Sequence, residues 1–563
     1  MNDEVIYSNN KASDNPGNNP GGLTVETQRL FEQYQKALSP KSLEGATIQV
    51  DEIASKVAAL YERIREIIDW KEEHLIGRTA IERGLKRRMV SELSGLNLIS
   101  ALKAEEIAGP LVLELIRAGH FPNNQIPQKR LVDVEKILRK YIFILANSPL
   151  AKNGSPAGIK RKVNFYDWIL EIAACEIEEI LNPPLKQDAL VEYMTNLMVQ
   201  RIQVTPESAI SSQNKRIQTE IAVYRTLFRL DDPIISYRLL KNYYPQWSNL
   251  PEPVLVQLTK NILSVRSKIE KKLNHFLAND FYRVCEQQDT LYLILGDVLG
   301  NFASQPSIIS EKLAEPKNLE SLIREAYNKR VATLKRRLFR MAIFSTLSVL
   351  IASGFSLFVV EVPLAKLLYG KFNLLSIAVD ILLPTVLMFF LVALVRPPGK
   401  KNLDKVISEI KKIVYRLEGK DVYEIKAKKQ RKVLVALVVS LLYLLGSCLS
   451  LGLVFWIFYI ARVPITSVYI DTLNVAMIVF AALIVRQRAK ELVVEEKTSF
   501  WEFFLDTLFV PVGRIGQWLS DKWKEYNIVS VFFTILIDTP FQALIGFIES
   551  WSTFIKEKKA QIH

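Results

Sequence analysis

Four stretches of the chain, 341–360, 373–395, 433–460 and 467–485, are almost continuously apolar. A hydrocarbon core about 30 Å thick requires roughly 20 apolar residues at the helical rise, so each stretch predicts a membrane-crossing helix. The region before them reads differently. From Val50 the apolar positions run Val50, Ile53, Val57, Leu60, Ile64 and Ile67, in alternating steps of three and four. A second run is Leu255, Leu258, Ile262, Val265, Ile269, Leu273 and Phe276. Such spacing predicts helix seams. Either could receive a partner helix, but packing inside a bundle is the favoured reading.

Breaks at 147–158, Asn182-Pro183-Pro184, Asp232-Pro233 and Leu250-Pro251-Glu252-Pro253 separate the helices, and the loop near 149–158 is the best subdomain boundary. No sustained period-2 alternation occurs, so strands are not expected. The expected fold is all-α: a large cytoplasmic helical region at 23–330, then a four-helix transmembrane domain at 331–490. Interfacial or re-entrant amphipathic helices at 491–563 would follow. The first 22 residues are polar and predict a disordered tail, not a cleavable signal peptide.

Charge orients this arrangement. The net charge is +14 over 563 residues, yet 1–328 balances 41 basic against 41 acidic side chains. Residues 433–563 balance 11 against 11, and the excess lies in 329–432, with 21 basic and 7 acidic. Lys329, Arg330, Lys335, Arg336, Arg337 and Arg340 precede the first stretch, and Arg396, Lys400 and Lys401 follow the second. Lys426, Lys428, Lys429, Arg431 and Lys432 precede the third, and Arg486, Arg488 and Lys490 follow the fourth. Basic clusters thus fall on one side of every stretch, which predicts a plasma-membrane protein with both termini cytoplasmic. A nucleic-acid partner is not expected, because the excess brackets apolar runs and does not mark a groove-reading domain.

In the loop 396–432, Leu403, Ile407, Ile410, Val414 and Leu417 make one apolar stripe. Lys400, Lys401, Lys405, Lys411, Lys412 and Arg416 crowd the polar side. This helix could lie on an anionic cytoplasmic leaflet or dock on the bundle. The leaflet is favoured, since each basic residue near such a surface contributes about 1 kcal/mol.

Composition adds mainly exclusions. Three cysteines, Cys175, Cys285 and Cys448, are too far apart and odd in number for a disulfide framework. Four scattered histidines form no zinc pattern, and no phosphate loop or nucleophile elbow is present, so no cofactor, metal or enzymatic reaction is expected. Glu171, Glu176, Glu178 and Glu179 cluster on one helix near Cys175. A solvated acidic face explains them better than a di-metal bundle site, which needs Glu-x-x-His pairs.

Within the apolar stretches, Asp380 stands out. A carboxyl near the bilayer centre is costly unless neutralised or hydrogen-bonded. Depth counting places Asn474 level with it, with Ser353 and Ser450 nearby, so a protonated Asp380 bonded to Asn474 is expected. Pro384 removes the amide that would bond the Asp380 carbonyl. The pair is either a packing device, which is favoured, or the ion site of an oligomeric transporter or channel. Small residues at Ser348, Ala352 and Ser356 and at Gly446, Ser447, Ser450 and Gly452 predict close helix packing.

Beyond residue 500, Trp501, Trp518, Trp523 and Trp551 accompany lysines, which suits the headgroup zone. A full crossing by 528–548 would carry Lys556, Lys558 and Lys559 outside, against the charge pattern. The overall expectation is a multi-pass, membrane-anchored binding or scaffolding component, engaging a soluble protein or its own copies. A lipid-acting enzyme is the remaining alternative, without a catalytic constellation to support it.

Overall fold

The computed structural model describes residues 22–39, 45–50, 76–93, 102–149, 156–361, 374–393, 398–415, 421–427, 433–460, 465–494 and 509–520, with isolated positions elsewhere. It is mostly helical. The first seam, Val50 to Ile67, and the loop 150–155 lie largely outside the described residues, as do Trp501, Trp523 and the segment 528–546.

The N-terminal bundle comprises α1 (Val25–Leu38), α2 (Ile76–Leu93), α3 (Ala104–Arg117), α4 (Lys129–Asn147), α5 (Pro156–Leu181) and α6 (Leu185–Arg201). It continues through α7 (Ser212–Leu227), α8 (Asp232–Tyr243), α9 (Glu252–Leu273), α10 (Ala278–Glu286), α11 (Asp289–Gly300) and α12 (Ile309–Ala314). Helix starts follow local chemistry. The Thr24 side chain accepts the Thr27 amide at 3.2 Å, and Ser211 accepts that of Asn214 at 3.3 Å. Prolines occupy the first turns of α8 and α9, where a missing amide costs nothing.

The α9 seam turns inward: Leu258, Ile262, Ile269 and Leu273 are buried in the common core, while Phe276, past the helix end, is exposed. The interior reading of that seam therefore matches the packing.

α13 (Pro316–Ser356) joins the bundle to the apolar region without interruption, and π-type turns at Leu357–Glu361 extend it. Its first turns bury Leu319, Ile323, Ala326 and Tyr327 in the bundle. Beyond Arg337 one face of it, with Phe339, Phe344, Ile351 and Phe355, points outward, while Leu338, Met341 and Val349 pack inward. α14 (Leu374–Ala393), α16 (Val433–Ile460) and α17 (Ile465–Ala489) cover the other three apolar stretches. Among the described residues one window, Thr472–Ala489, is long and apolar enough to cross a membrane, and Ile381–Val392 and Leu444–Leu453 are shorter apolar helical windows.

The sequence between α14 and α16 folds onto the bundle. It forms α15 (Lys400–Val414) and a strand, β2 (Tyr423–Lys426). β2 pairs in parallel with β1 (Ile202–Thr205), with Ile202 opposite Tyr423 and Thr205 opposite Lys426. This pairing corrects the expectation of no strands. Four residues are too few for an alternation signal, and pairing partners more than two hundred positions apart leave no local trace.

Candidate functional site

Three groups of residues could carry function: the basic face of α15, the polar positions inside the apolar helices, and the acidic helix α5.

In α15, Val406, Ile407, Ile410, Ile413 and Val414 are buried in the same core as α1 to α12, with Leu403 at its edge. Each such side chain gains roughly 1.5–3 kcal/mol on burial. Polar contacts fix the register. The Tyr415 hydroxyl donates to the Leu313 carbonyl at 2.6 Å, and Asn402 donates to the Tyr327 hydroxyl at 2.9 Å. The Thr24 amide donates to the Val414 carbonyl at 3.1 Å.

The favoured leaflet geometry for this stripe is therefore corrected. Both surroundings would cover the apolar face, but the bundle also supplies hydrogen-bond partners and close packing. Of the six basic candidates, Lys411 pairs with Glu320, and Lys412 pairs with Glu409 at 2.7 Å. Lys401 and Lys405 sit on the exposed side. The Lys400 side chain and Arg416 lie outside the described residues.

Asn474 is half-buried on α17, flanked by buried Val475 and Ala476. Ser450 is buried on α16 and donates to the Gly446 carbonyl of its own helix at 2.9 Å. Asp380 lies on α14 and Ser353 on α13, and both side chains are outside the described residues. Pro384 is buried within a continuous α14, where Thr385 donates to the Ile381 carbonyl at 2.8 Å. Between α13, α14 and α17 an apolar cluster forms from Met388, Val392, Ile478, Ala482 and Val485, with Leu387 and Leu391 against them, and the Thr346 hydroxyl of α13 is buried as well.

Residues 509–520 form a helix that lies against α17. Val512 is buried among Val475, Ala476 and Val479. The contact depends on Gly516 and is tight at Gly513 as well. A Cβ on Gly513 would meet Leu483 at 2.4 Å, and one on Gly516 would meet the Ala476 carbonyl oxygen at 2.2 Å. At Gly516 backbone approaches backbone, which no larger residue permits.

The acidic helix departs from its expected solvated face. Glu176 is fully buried and is the hub of a charge network. Lys140 Nζ donates to both Glu176 carboxylate oxygens at 2.7 Å and to the Trp247 carbonyl at 2.8 Å. The Tyr141 hydroxyl and the Trp247 indole N–H complete the shell at 2.6 and 2.9 Å. Burial pulls the Lys140 ammonium below its ordinary value, opposed by the charge of Glu176. Burial, reinforced by the Glu176 charge, pushes the Tyr141 hydroxyl up.

On α2, Arg78 is buried against Glu82 at 3.1 Å and against Asp231. Burial pushes Glu178 up to about 7, against the opposing charge of Arg78, and pushes Glu171 to about 7 as well. Every ring and carboxylate in the Glu176 hub is sealed from water, so the cluster is suited to holding α4, α5 and the segment after α8 together. A signal for it exists in sequence: Ile169, Ile172, Glu176 and Ile180 share one helical stripe, placing Glu176 at a core position. Its partners, 36 and 71 residues away, give no local signal. No group of acidic, histidine and cysteine side chains suited to a metal ion occurs among the described residues.

The chain matches no protein-family model, no curated protein and no solved structure.

Proposed function

We propose that the protein is a multi-pass membrane component whose cytoplasmic helical bundle, mounted rigidly on its own spans, binds or scaffolds a protein partner. The observation carrying this reading is the belt of outward-facing large side chains: Phe344, Ile351, Phe389, Phe390, Leu449 and Trp456 are all exposed. An apolar surface spread over three helices is stable in hydrocarbon and a liability in water. The basic clusters at one end of each helix give the same orientation.

The mounting is rigid because the chain leaving α17 returns to the bundle. Thr290 donates to the Glu491 carbonyl at 2.8 Å, and the Val494 amide donates to Asn402 at 3.0 Å. The packed apolar interior between α13, α14 and α17 favours a scaffold over a transport path. In this reading the Asp380 carboxyl and Asn474 fix helix packing, and Lys401 and Lys405 face anionic lipid or a partner.

Two measurements test the proposal. The chain should stay in the pellet after alkaline carbonate extraction, and cross-linking in native membranes should recover a stoichiometric protein partner or a second copy. Release into the carbonate supernatant would remove the membrane reading. Ion or solute flux in proteoliposomes that is lost in Asp380→Asn would replace scaffolding by transport.

A further inference from the structure

Where α13 leaves the bundle, a cleft of about 500 Å³ opens between α11, α13 and the turn after α17. That volume lies within the roughly 300–1,000 Å³ of small-ligand sites. One wall is a stripe of α13: Lys329, Thr333 and Arg337 follow one another at four-residue spacing, with Arg330 beside them. The opposite wall is the end of α11, where Gly300 and Asn301 line the space. A Cβ added at Gly300 would meet nothing within 4 Å, so the space beside that residue is open.

The charge in the cleft is not balanced from within. Its two acids are already engaged: Asp297 takes two hydrogen bonds from Arg330, one at 2.9 Å, and Glu491 pairs with Arg488 at 3.0 Å and with Arg229. Lys329 and Arg337 line the cleft, both exposed, and neither has an ion-pair partner among the described residues. The position is equally specific. Arg337 is two residues before Phe339, the first of the outward-facing apolar side chains of α13.

We infer that this cleft is a binding site for a phosphate-bearing anion, held between Lys329 and Arg337 with the Thr333 hydroxyl as a further donor. An ammonium and a guanidinium about two helical turns apart suit a phosphate, which offers several acceptor oxygens and at least one full negative charge. Resting on the membrane reading above, the location assigns the anion to the headgroup of an anionic phosphoglyceride, whose acyl chains would run down the apolar face of α13. Such a lipid would tie the bundle to the bilayer at the one helix the two regions share.

The test uses the full-length protein, delipidated in detergent, with bound lipid counted by native mass spectrometry against added phosphatidylglycerol or phosphatidylcholine. Phosphatidylglycerol should bind and phosphatidylcholine should not. In the K329Q/R337Q variant the affinity should fall about ten- to thirty-fold, as expected for losing two surface cations. K335Q/R336Q removes the same charge from the same helix outside the cleft and should bind like the parent. Gly300→Leu, which fills the cleft with every charge retained, should also abolish binding, with helical content by circular dichroism unchanged.

Inorganic phosphate distinguishes the sources. Displacement of lipid by millimolar phosphate assigns the site to the phosphate group alone, and retention of lipid assigns it to the whole headgroup and chains. Equal losses in the two double variants, or no phosphatidylglycerol binding, would overturn the site. A carbonate-resistant pellet alongside that failure would leave the membrane reading intact.

Discussion

Glu176 has no route to solvent, and its value lies in what it prevents. Without it the Lys140 ammonium would be a buried charge with no counter-ion, only the Trp247 carbonyl and two aromatic rings beside it. Glu176→Gln should therefore destabilise the bundle by about 3–5 kcal/mol, read from chemical unfolding followed by tryptophan fluorescence. Replacing both partners, as Lys140→Met with Glu176→Leu, should recover much of that loss, because no charge is then stranded. Asp289, at the junction with Glu491, provides a pH test. Burial pushes its carboxyl up to about 7, with Glu286 adding to the rise and Thr290 and Arg229 opposing it. An unfolded aspartate ionises near 4, so stability from this group is full below that pH and is lost as pH rises through 7. Asp289→Asn should match the parent near pH 4 and exceed it at pH 8. Each tenfold difference in proton affinity between the folded and unfolded chain is worth about 1.4 kcal/mol of that gain. Equal stabilities at pH 8 would refute this assignment.

The element with most to lose is α15, whose sequence suits two surroundings. Its stripe fits a leaflet or a bundle, and the choice falls to partners that lie far away: Leu313, Tyr327 and Glu320. Ile410→Ala should cost roughly 2–4 kcal/mol, because that side chain is 1% exposed and leaves a cavity in a shared core. Limited proteolysis should then cut within 396–432 sooner than in the parent. The helix at 509–520 is held by a different device. Gly516→Ala would put a methyl into the Ala476 carbonyl and force the two helices apart, costing about 1–3 kcal/mol. A disulfide engineered between positions 512 and 479 should form readily in the parent background and poorly with Gly516→Ala. Ala476 lies near the middle of α17, so under the proposed membrane reading that packing draws the segment away from a purely interfacial position.

Taken together, bundle, apolar helices and the returning turn at 491–494 form one continuous body, with α13 as its common member. The direction of the proposed spans across a bilayer is the prediction that belongs here. With Cys175, Cys285 and Cys448 all replaced, a single cysteine at 370 should react with an impermeant thiol reagent in intact cells, and one at 401 should react only after permeabilisation. Reversed labelling would invert the topology and remove the cleft from the inner leaflet. Reaction at both positions in intact cells would end the four-crossing arrangement.

Helical class, the placement of helices on all four apolar stretches and the inward seam of α9 were readable from residue order, because they rest on local periodicity and run length. Asp380 and Asn474 were legible as polar exceptions in apolar runs for the same reason. What pairs with what was not. The Glu176 hub, the β1–β2 pairing, the docking of α15 and the glycine contact with Ala476 each join positions tens to hundreds of residues apart. A charge on a helix looks the same whether its neighbour across the core is water or a lysine. That distinction is made by desolvation and close packing, which exist only once distant segments share a surface.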